Sequence, residues 1–166
     1  MRDPLSAAIG SALFLVAAPG AVAGLVPWLL TGWDSTGPPA IVFWPGVALV
    51  VAGAAVLVHA FARFVLEGRG TPAPIAPPDR LVVGGLYRHV RNPMYVAVTA
   101  TIVGQALLLG RPALLLYAAL FWAVVAMFVR VYEEPDLAAR YGEEYDAYRS
   151  AVPAWRPRLR PWVGDT

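Results

Sequence analysis

Most of the residues in this chain that could do chemistry fall in two short stretches. One holds Tyr87, Arg88, His89, Arg91, Asn92, Pro93 and Tyr95; the other holds Arg130, Glu133 and Glu134. Asn92-Pro93 reads as a helix start, because Asn is a good N-cap and Pro suits the first helical position. The free amides and positive dipole end of such a start attract an anion such as a carboxylate. Two adjacent carboxylates suit a cation or hydroxyl donors. Brought together, the stretches describe a pocket for a zwitterionic, partly cationic ligand. Arg130 stands three and four residues before Glu133 and Glu134, the spacing of a local helical ion pair. A plainer reading competes with this one: arginines near the ends of apolar spans serve as anchors, and a Glu-Glu pair serves as a solvated helix end.

Other chemistries find little support. There is no cysteine, which removes thiolate nucleophiles, disulfides and Cys-ligated metals. His59 and His89 are the only histidines, a poor basis for a metal or haem site. His59, Arg63 and Glu67 share a helical face that either lines the same pocket or forms a structural pair. No P-loop is present and no G-x-G-x-x-G follows a strand. The arginine-rich tail lacks the interleaved aromatic pattern of a nucleic-acid binder. The expectation is no metal and no nucleic acid.

The elements that must position these residues are apolar. Of 166 residues 58% are hydrophobic and 14% charged, against about 25% charged in a soluble domain. The fold class expected is all-α: a polytopic membrane protein of about four transmembrane helices plus a C-terminal amphipathic helix, in a single membrane domain over 1–166. The spans are read at about 5–30, 40–66, 94–109 and 113–132, each near the ~17–25 residues that cross a bilayer, the third being short. Gly110-Arg111-Pro112 is too short for anything but an antiparallel hairpin between spans three and four. That hairpin makes the start of span three and the end of span four neighbours. Twelve of the thirteen arginines fall on one side of this arrangement, Arg111 being the exception. The positive-inside rule then places both termini and the 67–93 connector in the cytoplasm of a plasma (inner) membrane.

Local breaks follow from Pro and Gly. Pro19 and Pro27 should kink or end the first span, and Pro135 should end the fourth. The first span has a rival reading as a signal peptide with a cleavage site at Ala21-Val22-Ala23, although apolar residues continue to Leu30. After Pro135, Leu137, Tyr141, Tyr145, Tyr148 and Val152 recur at helical spacing, opposite most of the acids. They predict an amphipathic helix over about 135–152 that packs under the bundle or lies on the membrane, with Gly142 marking a bend. Trp28, Trp33 and Trp44, and Trp155 and Trp162 in the tail, read as aromatic-belt residues.

The same two stretches resemble a known family. Leu81-Val82-Val83-Gly84-Gly85-Leu86-Tyr87 followed by Arg91-Asn92-Pro93-Met94-Tyr95 is similar to one block of the isoprenylcysteine carboxyl methyltransferases and related phospholipid methyltransferases. Glu133-Glu134-x-x-Leu137, Tyr141-Gly142-Glu143-Glu144-Tyr145-x-x-Tyr148 and Val152-Pro153 resemble that family's C-terminal block. The resemblance covers about 79–157 in matching order and spacing.

The resemblance implies a membrane-embedded methyltransferase that takes S-adenosylmethionine from the cytosol and a lipid-like or hydrophobic acceptor from the bilayer. Carried over by motif position, Leu81, Val82, Tyr87, Asn92, Pro93, Tyr95, Glu133 and Glu134 would contact the cofactor. Arg130 and Glu134 would serve the reaction, Arg130 by positioning the acceptor. Asn92 replaces the family's commoner histidine, and Asp79 stands where carboxyl methyltransferases tend to have one. Methyl transfer from a sulfonium needs neither a protein nucleophile nor a metal, only alignment and shielding. Two other functions compete: an NADPH-dependent membrane reductase of the sterol reductase type, whose C-terminal block is loosely similar, and a non-catalytic membrane subunit.

Overall fold

The computed structural model describes residues 17–63, 66 and 80–164; the regular elements among them are helices joined by turns and irregular chain, with no strand. The helices are α1 (Ala17–Thr31), α2 (Ala40–Arg63), α3 (Pro93–Leu109), α4 (Ala113–Phe128), α5 (Glu134–Tyr141) and α6 (Glu143–Ala151). α2 and the continuous helical run Ala113–Tyr141 are long and apolar enough to cross a membrane; α1 and α3 are apolar but shorter. Residues 5–16 of the expected first span, Glu67 and Asp79 lie outside the described residues.

α2 and α3 make the tightest helix pair, and small residues are the reason. A Cβ added to Gly46 would lie 2.6 Å from the Leu108 nitrogen and 2.8 Å from the Gly104 carbonyl oxygen. One added to Gly53 would lie 2.8 Å from the Ala97 carbonyl oxygen, and one on Gly104 would lie 2.8 Å from that of Gly46. Backbone thus meets backbone, the arrangement that holds helices together where lipid removes the hydrophobic drive between them. Much of the opposite surface, including Ile41, Trp44, Val51, Val58, Leu116, Leu120, Met127 and Val131, is exposed and apolar, as suits a surface wetted by lipid.

α3 and α4 form the expected antiparallel hairpin. Gly110 ends α3 in the left-handed conformation at φ 65°, and its amide reaches back to the carbonyls of Ala106 and Leu107. The 32–39 loop closes over this turn: the Thr36 amide donates to the Leu109 carbonyl at 2.9 Å, and Arg111 Nε donates to the Asp34 carbonyl at 2.9 Å.

Neither proline break occurs as expected. α1 runs through Pro27, with the wide π turn Ala21–Leu25 just before it. Pro27 has no amide hydrogen for the Ala23 carbonyl, and Gln105 Nε2 donates there instead at 2.7 Å; Tyr117 OH donates to the Val22 carbonyl at 2.9 Å. The residues of the alternative cleavage site are therefore knitted into the bundle. Likewise α4 continues through a second π turn, Val129–Glu133, into α5, with Pro135 seated in the first turn of α5. A π turn carries one extra residue, which accommodates a residue that cannot donate.

Beyond α5 the chain bends at Gly142, φ 52°, and α6 follows. The apolar face of the two short helices packs inward: Tyr145, Tyr148 and Val152 are buried against Leu81, Val83, Leu137 and Trp162. That face is covered by the chain itself rather than left open. Trp28, Trp33 and Trp44 are exposed as belt residues would be, but the two tail tryptophans are not of that kind. Trp155 stacks beside Trp122, 4.7 Å between centroids, and Trp162 packs on Tyr148 at 5.4 Å.

Candidate functional site

The approach to α3 is held from behind by the tail. The amides of Arg91 and Asn92 donate to the carbonyls of Pro153 and Ala154 at 3.0 and 3.3 Å, while those of Arg158 and Trp162 donate to the carbonyls of His89 and Arg88, both at 2.9 Å. Arg88 Nε returns a bond to the Trp162 carbonyl at 2.7 Å. Asn92 occupies the N-cap position without capping: its Nδ2 donates to the Ala154 carbonyl at 3.2 Å, so the side chain ties the tail to the helix start. The short 3-10 turn Gly85–Arg88 presents Tyr87, whose carbonyl accepts from Tyr148 OH at 2.7 Å.

Charge crosses between the two stretches at Arg91. Arg91 Nη1 donates to Glu134 Oε1 at 2.7 Å and to Tyr145 OH at 3.0 Å, while its Nε donates to the Val152 carbonyl at 3.0 Å. Arg149 Nη2 approaches the other oxygen of Glu134 at 3.2 Å. Glu134 is thus a largely buried strut between α3, α5 and α6. Glu133 differs: its Oε2 accepts from Tyr95 OH at 3.2 Å, and no ion pair to it is found among the described residues. The ion pair between Arg130 and this acidic pair does not form either, because Glu134 takes Arg91 and Arg149 instead. Burial raises the phenols of Tyr148 and Tyr145 against the opposing pull of Arg91, so both remain protonated at neutral pH.

These groups surround a cavity of about 440 Å³. All eight residues expected to touch a cofactor line it: Leu81, Val82, Tyr87, Asn92, Pro93, Tyr95, Glu133 and Glu134. Its other arm is apolar, formed by Val22 of α1, Leu57 and Phe61 of α2, and Phe121 and Phe128 of α4. Arg130 does not line it. Arg130 is exposed and lines a separate recess with Arg149, Glu134 and Trp155. His59 and Arg63 lie over Gly85, where an added Cβ would stand 2.6 Å from His59 Nε2 and 2.8 Å from Arg63 Nε. Among the described residues no group of three or more His, Cys, Asp or Glu is placed to hold a metal ion.

Sequence reasoning gave Arg91 no role of its own and read Tyr145 and Tyr148 as packing. All three hold the cavity wall. A signal for Arg91 was present: a guanidinium two residues before a helix start, in a chain with two adjacent acids, needs a partner once it is buried.

A cavity lined by both charged and apolar side chains, among apolar helices of which two are long enough to cross a membrane, belongs to a helical membrane protein. The comparisons agree with that class. The model of the phospholipid methyltransferase family matches residues 41–144, and the chain belongs to that family. It is also similar to the protein-S-isoprenylcysteine O-methyltransferase of Schizosaccharomyces pombe, 33% identical over 80 residues that make up 48% of this chain and 34% of the relative. The chain thus matches about a third of that relative's length.

Proposed function

We propose that the protein is a membrane-embedded methyltransferase that uses S-adenosylmethionine and acts on a lipid-like or otherwise hydrophobic acceptor, of the isoprenylcysteine carboxylate or phospholipid amine type. The observation that carries this reading is the single cavity joining the Glu133–Tyr95 corner to an apolar arm between α1, α2 and α4. The donor set suits the cofactor. Glu133 offers a carboxylate to an ammonium or to ribose hydroxyls, and Leu81, Val82, Leu137 and Tyr141 offer apolar and aromatic surface to a base. The volume lies within the range of sites for drug-sized ligands. When bound, the cofactor would supply an electrophilic methyl group.

In this reading the chain's own residues do three things. Glu133, steadied by Tyr95, binds the cationic end of the cofactor. Glu134, bound by two arginines, is a positioning residue that holds Arg91 and the start of α3 in place. The apolar arm admits the acceptor's tail and keeps water from the reacting head. The pairing of Glu134 with arginine disfavours it as a free base, and the geometry lends Arg130 no part in positioning an acceptor inside this cavity. Two inward-facing carboxylates, with Arg91 already engaged, also make a poor seat for the phosphates of NADPH.

The decisive experiment is thermal stabilisation of the detergent-solubilised protein by S-adenosylhomocysteine compared with NADPH. Stabilisation by the first alone is expected; stabilisation by NADPH alone overturns the reading. The accompanying topology has four spans, with both termini and the 67–93 connector in the cytoplasm. It rests on the arginine asymmetry, and a reporter fused at the C-terminus that proves to be outside would refute it.

A further inference from the structure

The recess on the other side of Glu134 has chemistry of its own. It is lined by Arg130, Glu134 and Arg149, with Trp155 and the small apolar side chains of Ala126 and Ala138. Arg130 is exposed and has no ion pair among the described residues. Arg149 is half exposed, with one contact of 3.2 Å to Glu134. Glu134 is already bound more closely by Arg91, at 2.7 Å from the cavity side. Two guanidinium groups therefore share one carboxylate, Arg130 lines the same recess without a pair among the described residues, and the excess positive charge lies with Arg130 and Arg149. Asp136 is taken by Arg140 at 2.7 Å, Glu133 turns to Tyr95, and Asp146, one turn before Arg149, is exposed with no ion pair among the described residues.

Position selects the anion. Met127 and Val131, on the same helix, are exposed and apolar, and the first carboxylates follow at Glu133 and Glu134. The recess thus lies where lipid-facing helix surface meets polar chain, the depth of a phospholipid headgroup. Trp155 forms part of its wall, fixed by Trp122 at 4.7 Å, and Ala126, Val129 and Ala138 give it an apolar floor. Guanidinium forks match phosphate oxygens two at a time, and basic pockets at this depth bind anionic headgroups.

We infer that Arg130 and Arg149, with Trp155 beside them, form a binding site for the phosphate of an anionic phospholipid, distinct from the cavity behind Glu134. This assignment does not depend on methyl transfer: it needs only that the helices lie in a bilayer.

The test measures thermal stability and lipid retention, by native mass spectrometry, of the detergent-solubilised protein. Phosphatidylglycerol, phosphatidylcholine and inorganic phosphate are added in separate arms. Phosphatidylglycerol is expected to stabilise the wild type more than phosphatidylcholine does, and to be retained. Arg130→Ala and Arg149→Ala should each weaken its binding by about fivefold, and the double variant should erase the preference. Arg111→Ala, at the opposite end of the bundle, should keep it and serves as the control for a general charge effect. If inorganic phosphate stabilises as well as the lipid does, the site takes free phosphate and the lipid assignment fails. An unchanged preference in the double variant, or its loss in Arg111→Ala as well, overturns the site. Where the double variant does not fold, the two single variants decide by the same criterion.

Discussion

α3 faces two quite different surroundings. Along α2 it is in backbone contact, with Gly46, Gly53 and Gly104 leaving no room for a side chain. Toward α4 it packs through side chains, Ile102, Ala106 and Leu109 with Leu114 and Ala118, on the side of the Gly110 turn; at the other end Tyr95, Glu133 and the phenylalanines of α4 border a cavity. Both partner helices are apolar by composition. What separates them is side-chain size: glycine closes one seam, and bulky or charged residues prop the other open. A membrane bundle can thus spend one helix pair on rigidity and leave the next for ligand.

The largest effect should come from forcing the closed seam apart. Gly46→Leu with Gly53→Leu puts side chains where carbonyl oxygens stand. Each should cost the upper end of the ~1–3 kcal/mol typical of overpacking, and together about twice that. The expected result is loss of a cooperative thermal transition in detergent. A double variant that melts with the wild type would show that the seam is not what makes the bundle rigid.

The open side should respond in binding rather than in folding. Glu133→Gln removes a charge that only a phenol accompanies, so the protein should stay folded. Affinity for S-adenosylhomocysteine, read by calorimetry, should fall about ten- to a hundredfold, or ~1.5–3 kcal/mol. If affinity is unchanged, Glu133 does not bind the cofactor. If stability falls as far as it does for the glycine variants, the contrast between seam and cavity dissolves.

The smallest effect should come from Tyr148, which braces the cavity wall through its bond to the Tyr87 carbonyl. Tyr148→Phe should cost about 1 kcal/mol. Burial raises this phenol's pKa above that of the unfolded chain. Its contribution is therefore fully present below about pH 10, the ordinary tyrosine value, and declines as pH rises beyond it. The wild type should lose stability in that alkaline window more steeply than the variant. Parallel pH profiles would remove Tyr148 from the bracing of the wall.

Much of this was legible in the sequence because it depends on local pattern. Apolar runs define helices by length. Gly110-Arg111-Pro112 permits only a hairpin, and that hairpin brings Tyr95 to Glu133. The spacing of Leu137, Tyr141, Tyr145, Tyr148 and Val152 marks a buried face whatever it packs against. The two motif stretches point to one cavity, and all eight residues read as cofactor contacts line it.

Tertiary structure alone decided who pairs with whom. Arg130 has its acids at helical spacing, yet Glu134 takes Arg91, 43 residues away in sequence, because burial at the start of α3 makes that pairing worth more than an exposed one. The π turns at Ala21–Leu25 and Val129–Glu133 carry helices past prolines that locally argue for a break, and at the first of them side chains from α3 and α4 satisfy the carbonyls of Ala23 and Val22. Trp155 and Trp162 look like belt residues until the tail is seen folded across the approach to α3. Composition sets the solvent a helix face prefers, and spacing sets which residues share that face. The partner of a charge or a ring depends on what the rest of the chain brings within reach, which no local pattern encodes.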